Sequence, residues 1–387
     1  MANVNQLYTM LNVIASEALG ESATTVQDTT SMVSLGNDVL SSETSVDRFV
    51  NVLMDRIGKT IISSRAWTDP ESDPLVKKPF DFGVALQKIY VDIIDASANN
   101  TWNIGQNGYT PVYAPVTKPD VRQKLFNSIN TWEFDMTIPD TLLRTAFLNE
   151  TEMNAFIASI FVAMDNSLQL SLRNANNLTR ATAAAYVINS GGNNAINVLD
   201  EYNTITSGSL TLDSMLYDTG FLQYLTKRIL DVKRYLSDMS RAWNNEEFAR
   251  HTPDSEKVLT MLQMVDSAAA VYLKSSTFHD NLLDLGLGYN TVSFWQGAGE
   301  SYALEDISAV KISIVDSESE TGKLNVSQTG VLAMMYDREA MGTTIDNRRS
   351  STERNNKDEY TNYYSKANIG YFADRSENTI VFYASED

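Results

Sequence analysis

Two histidines, a Gly-Lys pair, an acidic turn and an arginine cluster are the residues that could do chemistry in this chain. His251 sits beside Arg250 and just before Thr252-Pro253, and His279 precedes Asp280. No other His and no Cys occur. A His/Cys zinc site is therefore excluded, and so are disulfide and thiolate chemistry. Surface or helix-end roles fit both histidines better than a general base. Thr321-Gly322-Lys323 resembles the end of a phosphate loop. That motif needs Gly where Ser317 stands and Ser or Thr where Leu324 stands, so it is rejected. No Gly-x-Ser-x-Gly elbow, His-Glu-x-x-His pair or dinucleotide glycine fingerprint is present. Asp316, Glu318 and Glu320 could gather a hard cation, but a solvated acidic turn is the simpler reading.

The arginines Arg338, Arg348, Arg349 and Arg354 are interleaved with Asp337, Glu339, Asp346 and Glu353. Mixed charge of this kind suits pairing within a loop or with a neighbouring chain. Exposed pairs contribute only ~0–1 kcal/mol each, so they set register more than affinity. Tyrosine accounts for 18 residues and crowds Tyr109, Tyr113, Tyr360, Tyr363, Tyr364 and Tyr371. Aromatics with a polar tip are favoured where protein meets protein, and equally in ordinary sheet packing.

Composition bounds the rest. Of the 387 residues, 43% are hydrophobic and 20% charged, which permits a packed interior and argues against wholesale disorder. The formal net charge of -19 speaks against a phosphate-gripping surface, although a local basic patch would be compatible with it. No basic leader precedes an apolar run, and no window reaches the ~20 apolar residues of a membrane span. A soluble protein made in the cytoplasm is expected, with no cofactor.

The elements that must position these residues follow from periodicity. Val4, Leu7, Leu11, Ile14 and Ala18 predict an amphipathic helix. Residues 20–44, rich in Ser, Thr and Gly, read as an extended arm or linker. Ser45 is a candidate N-cap for a helix carrying Val46, Phe49, Val50, Leu53 and Ile57 and stopped by Gly58. Ile89, Val91 and Ile93 alternate with Lys88, Tyr90 and Asp92. Trp132, Phe134, Met136 and Ile138 alternate with Thr131, Glu133, Asp135 and Thr137. The simplest picture pairs these two strands as a long ribbon, with a turn at Asn107-Gly108. A free two-stranded ribbon is marginal in water, so it must lie on its own body or on a neighbour.

Asn149 and Glu152 have capping-box spacing, and an apolar face from Met153 to Leu168 predicts a helix to about Arg173, a rod of roughly 35 Å. A helix over Leu222–Trp243 follows, and another opens at Thr252-Pro253 with Val258, Leu262, Val265, Ala269 and Tyr272 on its face. Strands are expected at Val310–Ile314, Val331–Tyr336, Tyr360–Phe372 and Thr379–Tyr383, with a charged loop at Met341–Glu359 and a turn at Asp374–Asn378. The order is α+β rather than a doubly wound alternation.

The closing block resembles the end of the capsid proteins of tailed bacteriophages, the Hong Kong phage-type fold. It comprises Gly330-Val331-Leu332-Ala333-Met334-Met335-Tyr336-Asp337-Arg338-Glu339-Ala340, the Arg-rich stretch, Tyr360-Thr361-Asn362-Tyr363-Tyr364, and Gly370-Tyr371-Phe372 to Val381-Phe382. Asp55-Arg56-Ile57-Gly58, Pro79, Ile89-Tyr90-Val91-Asp92 and Arg241-Ala242-Trp243-Asn244-Asn245 are similar to stretches in the small protein-primed podophages.

The resemblance implies an N-terminal arm over residues 1–57 and an extended β-ribbon loop region over 58–138. It further implies a peripheral domain with a long spine helix over 139–200, an axial domain over 201–334, and C-terminal strands over 335–387 that return to the peripheral domain. It implies a major capsid protein that assembles as pentamers and hexamers into an icosahedral shell around double-stranded DNA, with no catalytic role. Its partners would be further copies of itself, scaffolding and portal proteins, and DNA packaged without sequence-specific binding. It would be assembled in the host cytoplasm and reside in the virion. Candidate contacts between subunits are Lys77, Lys78, Tyr109, Tyr113, Trp132, Phe134, Arg348, Arg349 and Arg354. The alternatives are an encapsulin-type compartment shell and an unrecognised soluble enzyme.

Overall fold

The computed structural model describes residues 4–20, 23–39, 45, 48, 49, 52, 74–77, 86–94, 118–126, 129–139, 150–273, 288–296, 303–315 and 322–386. The chain opens with helices α1 (Val4–Leu19) and α2 (Thr29–Val39), then strands β1 (Val76–Lys77), β2 (Leu86–Val91), β3 (Val121–Phe126) and β4 (Ile129–Pro139). Helix α3 (Glu150–Ser190) leads through β5 (Ala195–Asn197) to α4 (Val198–Thr206) and α5 (Thr219–Tyr235). Strand β6 (Lys257–Leu262) runs into α6 (Gln263–Tyr272), followed by β7 (Tyr289–Val292) and the short α7 (Leu304–Ile307). Strands β8 (Val310–Val315), β9 (Lys323–Gln328), β10 (Val331–Asp337), β11 (Met341–Asn355), β12 (Tyr360–Ala373) and β13 (Thr379–Tyr383) close the chain.

The chain divides into two compact units, one of residues 1–79, 129–175 and 344–370, the other of residues 80–128, 176–343 and 371–387.

In the first unit, α1 buries Leu11, Ile14 and Ala18 of the predicted stripe, with Ala15 beside them, while the side chains of Val4 and Leu7 lie outside the described set. Residues 20–44 are not an extended arm: α2 occupies 29–39. Its composition is Ser- and Thr-rich, yet Met32, Leu35 and Val39 recur at helical spacing and are fully buried. Asp28 caps it, accepting from the Ser31 N–H at 2.7 Å. Asn12 ties α1 to the segment leading into α2, donating to the Val26 carbonyl at 2.9 Å and accepting from its N–H at 2.6 Å. Ser45, expected as a cap, is itself helical, and Phe49 is buried. The other residues of that expected stripe, Val46, Val50, Leu53 and Ile57, lie outside the described residues.

The sheet of this unit has the order β1-β11-β12-β4. Two expectations fail here. Trp132–Ile138 does not pair with Ile89–Ile93; it lies in β4, antiparallel to β12 from Tyr360↔Pro139 to Gly370↔Ile129. Met341–Glu359 is not a loop; β11 runs through most of it. Its arginines and acids hide the strand because neither neighbour asks for an apolar alternation there. Arg349 donates to Asn368 at 3.4 Å, and the Tyr364 hydroxyl donates to Glu353 at 3.4 Å.

In the second unit, the sheet order is β5-β13-β10-β6-β7. Every residue of the central β10 is buried. It is antiparallel to β13 and to β6. Full burial of such aliphatic side chains stabilises by about 1.5–3 kcal/mol each, so this strand anchors the unit. Strand β6 corrects the helix expected from Thr252-Pro253. The chain makes one 3₁₀ turn at Asp254–Glu256, then a strand buried along its whole length, and only then α6. Val258 and Leu262 fit either period, and pairing with β10 decides.

Helix α5 is capped by Asp218, which accepts from the Phe221 N–H at 2.6 Å, and buries Phe221, Leu222, Leu225, Ile229 and Val232. It ends at Tyr235, short of Trp243. Beyond that point Ser240 and Arg250 exchange backbone hydrogen bonds of 2.9 and 3.0 Å, which pulls the chain out of the helix. Arg228 grips Glu201 of α4 through two bonds of 2.8 and 2.9 Å.

Helix α3 is longer than the expected stretch to Arg173. Ala181, Ala184 and Ala185 are fully buried at helical spacing, and Gly191 at φ 59° ends the helix. Asn149 and the side chains of 150–166 lie outside the described set. The expected strands at Val310–Ile314, Val331–Tyr336, Tyr360–Phe372 and Thr379–Tyr383 are all present.

Candidate functional site

Lys88, Tyr90 and Asp92 share one face of β2 and its extension. Strand β3 brings Arg122 and Lys124 to the same face, since Tyr90 pairs with Arg122 and Lys88 with Lys124. Two ammonium groups thus stand directly opposite each other, a destabilising pair unless something lies between them. Asp374 does, from the turn after β12. Its carboxylate meets Lys88 Nζ at 3.3 Å through one oxygen and Lys124 Nζ at 3.1 Å through the other. The Asp374 side chain is fully buried. It also accepts from the Tyr90 hydroxyl and from the Ser376 N–H, the latter at 3.0 Å.

A second layer of charge completes the cluster. Lys124 reaches Glu246 at 2.5 Å, and Glu246 accepts from the Ser376 hydroxyl at 2.7 Å. Glu377 faces Lys88 at 3.6 Å and Arg250 at 3.8 Å. The Arg250 guanidinium lies 4.4 Å from the centre of the Tyr90 ring, and Arg122 lies 4.7 Å from that of Phe248. At the rim Asp92 accepts from the Ala249 N–H at 3.2 Å and from Arg241 at 3.1 Å. The 240–250 segment and the 374–377 turn are themselves joined, the Asn245 N–H donating to the Arg375 carbonyl at 3.1 Å.

Electrostatics divides the carboxylates. Burial pushes Asp374 up, but the Tyr90 hydroxyl, Lys88, the Ser376 N–H and Lys124 outweigh it and hold the group below its ordinary value. Glu246 follows the same pattern, with burial overcome by Lys124 and Ser376. Glu377 goes the other way: burial raises it, Lys88 and Arg250 offset only part, and Asp337 and Asp374 add to the rise. Burial and the bond to Asp374 push the Tyr90 hydroxyl well up. The arrangement holds a strand pair in place by charge.

The opposite face of β2 and β3 carries Ile89, Val91, Val121 and Leu125, each more than half exposed. This inverts the usual sheet, in which aliphatic groups face inward.

The contacts expected from sequence are scattered. Trp132 and Phe134 are half-buried on one face of β4, opposite Ala367 and Ser365 of β12. The other face of that pair is a polar ladder. Thr131 donates to Asn368 at 3.0 Å, Lys366 meets Glu133 at 3.0 Å, and Thr137 donates to Asn362 at 2.8 Å. Arg349 joins this ladder through Asn368. Arg354 bonds Asn356 at 2.9 Å. Arg348 lies on β11 and Lys77 on β1, their side chains outside the described set. Lys78, Tyr109 and Tyr113 lie outside the described residues, as do His279, the Asn107-Gly108 turn and the acidic run Asp316–Glu320. Tyr363 is buried and belongs to the interior of its unit. His251 is exposed. Among the described residues no group of three or more acidic or His side chains is placed to hold a metal ion. No helix among them is long and apolar enough to cross a membrane.

Sequence reasoning found the alternation of Lys88, Tyr90 and Asp92 but not what they meet. Asp374 and Glu377 were assigned only to a turn, Arg250 only to a neighbour of His251, and Lys124 to none of the expected elements.

The sequence profile described as Phi29-like phage major capsid protein matches residues 11–383. The chain belongs to this family. A curated relative, the major capsid protein of Bacillus phage B103, is 27% identical over 170 residues, which are 43% of this chain and 36% of that protein. The match thus spans about a third of the relative's length. A chain in the capsid structure of Staphylococcus phage Andhra superposes with a TM-score of 0.50 at 10% identity, covering 81% of this chain and 83% of that one. A chain in the capsid structure of the Cyanophage P-SCSP1u gives 0.47 at 13% identity, over 81% and 86%. The Andhra likeness shows the fold, in agreement with the resemblance seen in the closing block.

Proposed function

We propose that the chain assembles as pentamers and hexamers into an icosahedral shell enclosing the double-stranded DNA genome of its phage, and that it does so without catalysis. The observation that carries this reading is the family match over residues 11–383, nearly the whole chain. A shell built from one chain must reuse the same surfaces many times, which closed symmetry requires. The net charge of -19 suits a container that does not grip its contents sequence-specifically.

In this reading residues 1–57 act as an arm, 58–138 as the extended loop region, 139–200 as the peripheral domain, 201–334 as the axial domain and 335–387 as the returning strands. Contacts between copies are assigned to Lys77, Lys78, Tyr109, Tyr113, Trp132, Phe134, Arg348, Arg349 and Arg354. Half-burial of Trp132 and Phe134 supports a surface that a second chain completes. Scaffolding and portal proteins are the expected further partners, and the host cytoplasm is the expected place of assembly. Electron cryomicroscopy of particles from cells expressing the full chain with its scaffold tests the reading. Five- and sixfold clusters on a closed lattice are expected; open sheets or small rings alone would overturn it.

A further inference from the structure

We infer that Lys88, Lys124 and Asp374 form an ionic clasp that decides whether the β2–β3 ribbon stays docked on its own subunit. The device is internal to one chain, and it goes beyond the shell reading without depending on it. Three observations carry it.

The first is register. Lys88 and Lys124 are direct cross-strand partners, with side chains only 11% and 23% exposed, so their mutual repulsion is poorly screened. One buried carboxylate bridges them, an oxygen for each. Glu377 and Glu246 give each lysine a second anion. Neither of these touches both lysines, so among the described residues Asp374 is the carboxylate that bridges the pair.

The second is the nature of the docked face. Among the described residues its apolar contribution is the half-buried Leu86 and two ring contacts, Tyr90 with Phe248 at 5.8 Å and Phe126 with Phe372 at 5.4 Å. Four aliphatic residues, Ile89, Val91, Val121 and Leu125, point the other way and are more than half exposed. Little hydrophobic burial therefore holds the ribbon down, and charge must do so. Losing the clasp would free the ribbon and leave the β10-centred sheet, which has its own buried strands, intact.

The third is where the bridging group sits. Asp374 belongs to a turn fixed at its base, its N–H donating to the Ala340 carbonyl at 2.7 Å. A displacement of that turn breaks both lysine contacts in one step. Whatever shifts the end of β12 therefore reaches the ribbon. An undocked two-stranded ribbon is marginal on its own, so release would register as fraying of β2 and β3.

Hydrogen exchange by mass spectrometry on the full-length chain tests this. In Asp374→Asn, peptides covering 86–91 and 121–126 should exchange roughly 10- to 100-fold faster, the loss expected for charged hydrogen bonds. Peptides covering 331–337 should be unchanged. Asp374→Asn combined with Lys88→Met and Lys124→Met should restore part of the ribbon's protection, because the methionines end the repulsion between the two ammonium groups and put apolar burial where the charges stood. A purely structural aspartate would not be rescued by deleting its partners. Unchanged ribbon exchange in Asp374→Asn would overturn the clasp, and so would equal acceleration of 331–337. Should Asp374→Asn fail to fold, Lys88→Met alone carries the same two criteria: faster exchange confined to the ribbon supports the clasp, and unchanged or global exchange sinks it.

Discussion

Gly330 stands at φ 76°, a left-handed conformation that other residues adopt only with strain. A Cβ at this position would run into the carbonyl oxygen of Ala384, whose N–H donates to the Gly330 carbonyl at 2.8 Å. The Gly330 N–H in turn donates to the Ser308 hydroxyl at 2.8 Å. Gly330→Ala should cost about 2–4 kcal/mol through strain and overpacking together. Denaturant unfolding followed by circular dichroism would register this as a lower midpoint; an unmoved midpoint would mean that the Ala384 segment yields freely. Asp374 and Glu377 respond to the same burial in opposite ways. They lie three positions apart in one turn, both deep in the protein, yet one is held below its ordinary value and the other above it. Direct donors make the difference: Asp374 has the Tyr90 hydroxyl and the Ser376 N–H, while Glu377 has two cations no nearer than 3.6 and 3.8 Å.

Those opposite shifts give the ribbon an asymmetric response to acid. A carboxyl raised in the folded state, Glu377, favours folding below its ordinary 4.5 and loses that contribution as pH rises through its folded value. Carboxyls depressed in the folded state, Asp374 and Glu246, contribute above their ordinary 3.8 and 4.5 and fail only as pH falls through lower folded values. The groups facing them are Lys88, Tyr90 and Lys124 from the ribbon, Arg250 from the preceding segment, and Arg375 and Asp337 nearby. Acidification from neutral pH should first neutralise Glu377, without loosening the ribbon. Release should begin only below 3.8, as Asp374 takes a proton. Ribbon exchange, corrected for the intrinsic rate at each pH, would show the break; release already near pH 5 would contradict the assignment. Strand β4 offers a second test. Trp132→Ala should lower the yield of assembled particles while leaving the circular dichroism of the unassembled chain intact. Normal particle yield would remove Trp132 from the contact surface.

Elements were legible where one period governed them. The α1 stripe, β10, β12 and β13 follow from apolar spacing alone. β11 and β3 did not, because their strand character rests on polar cross-strand partners, such as Asn368 for Arg349, and not on an apolar face. Strand β6 was read as helix because Val258 and Leu262 fit both periods until β10 is beside them. The pairing of β2 with β3 is hidden for a different reason, the polar character of β3. Lys124 and Arg122 look like solvated charge until Asp374, 250 residues from Lys124, supplies the partner.

Residues 11–383 match the Phi29-like major capsid proteins, and the chain carries a net charge of -19. Each of its two units has its own sheet, one with a polar ladder on β4 and β12, the other built around the buried β10. Stable contacts between copies should each bury at least ~1,200–2,000 Å². Such contacts cooperate over a closed lattice, so assembly should give shells or free subunits with little between. Sedimentation velocity of the full chain expressed with its scaffold tests this most directly. A sharp megadalton species beside unassembled subunits is expected. A profile made only of discrete dimers, tetramers or other small oligomers would contradict it.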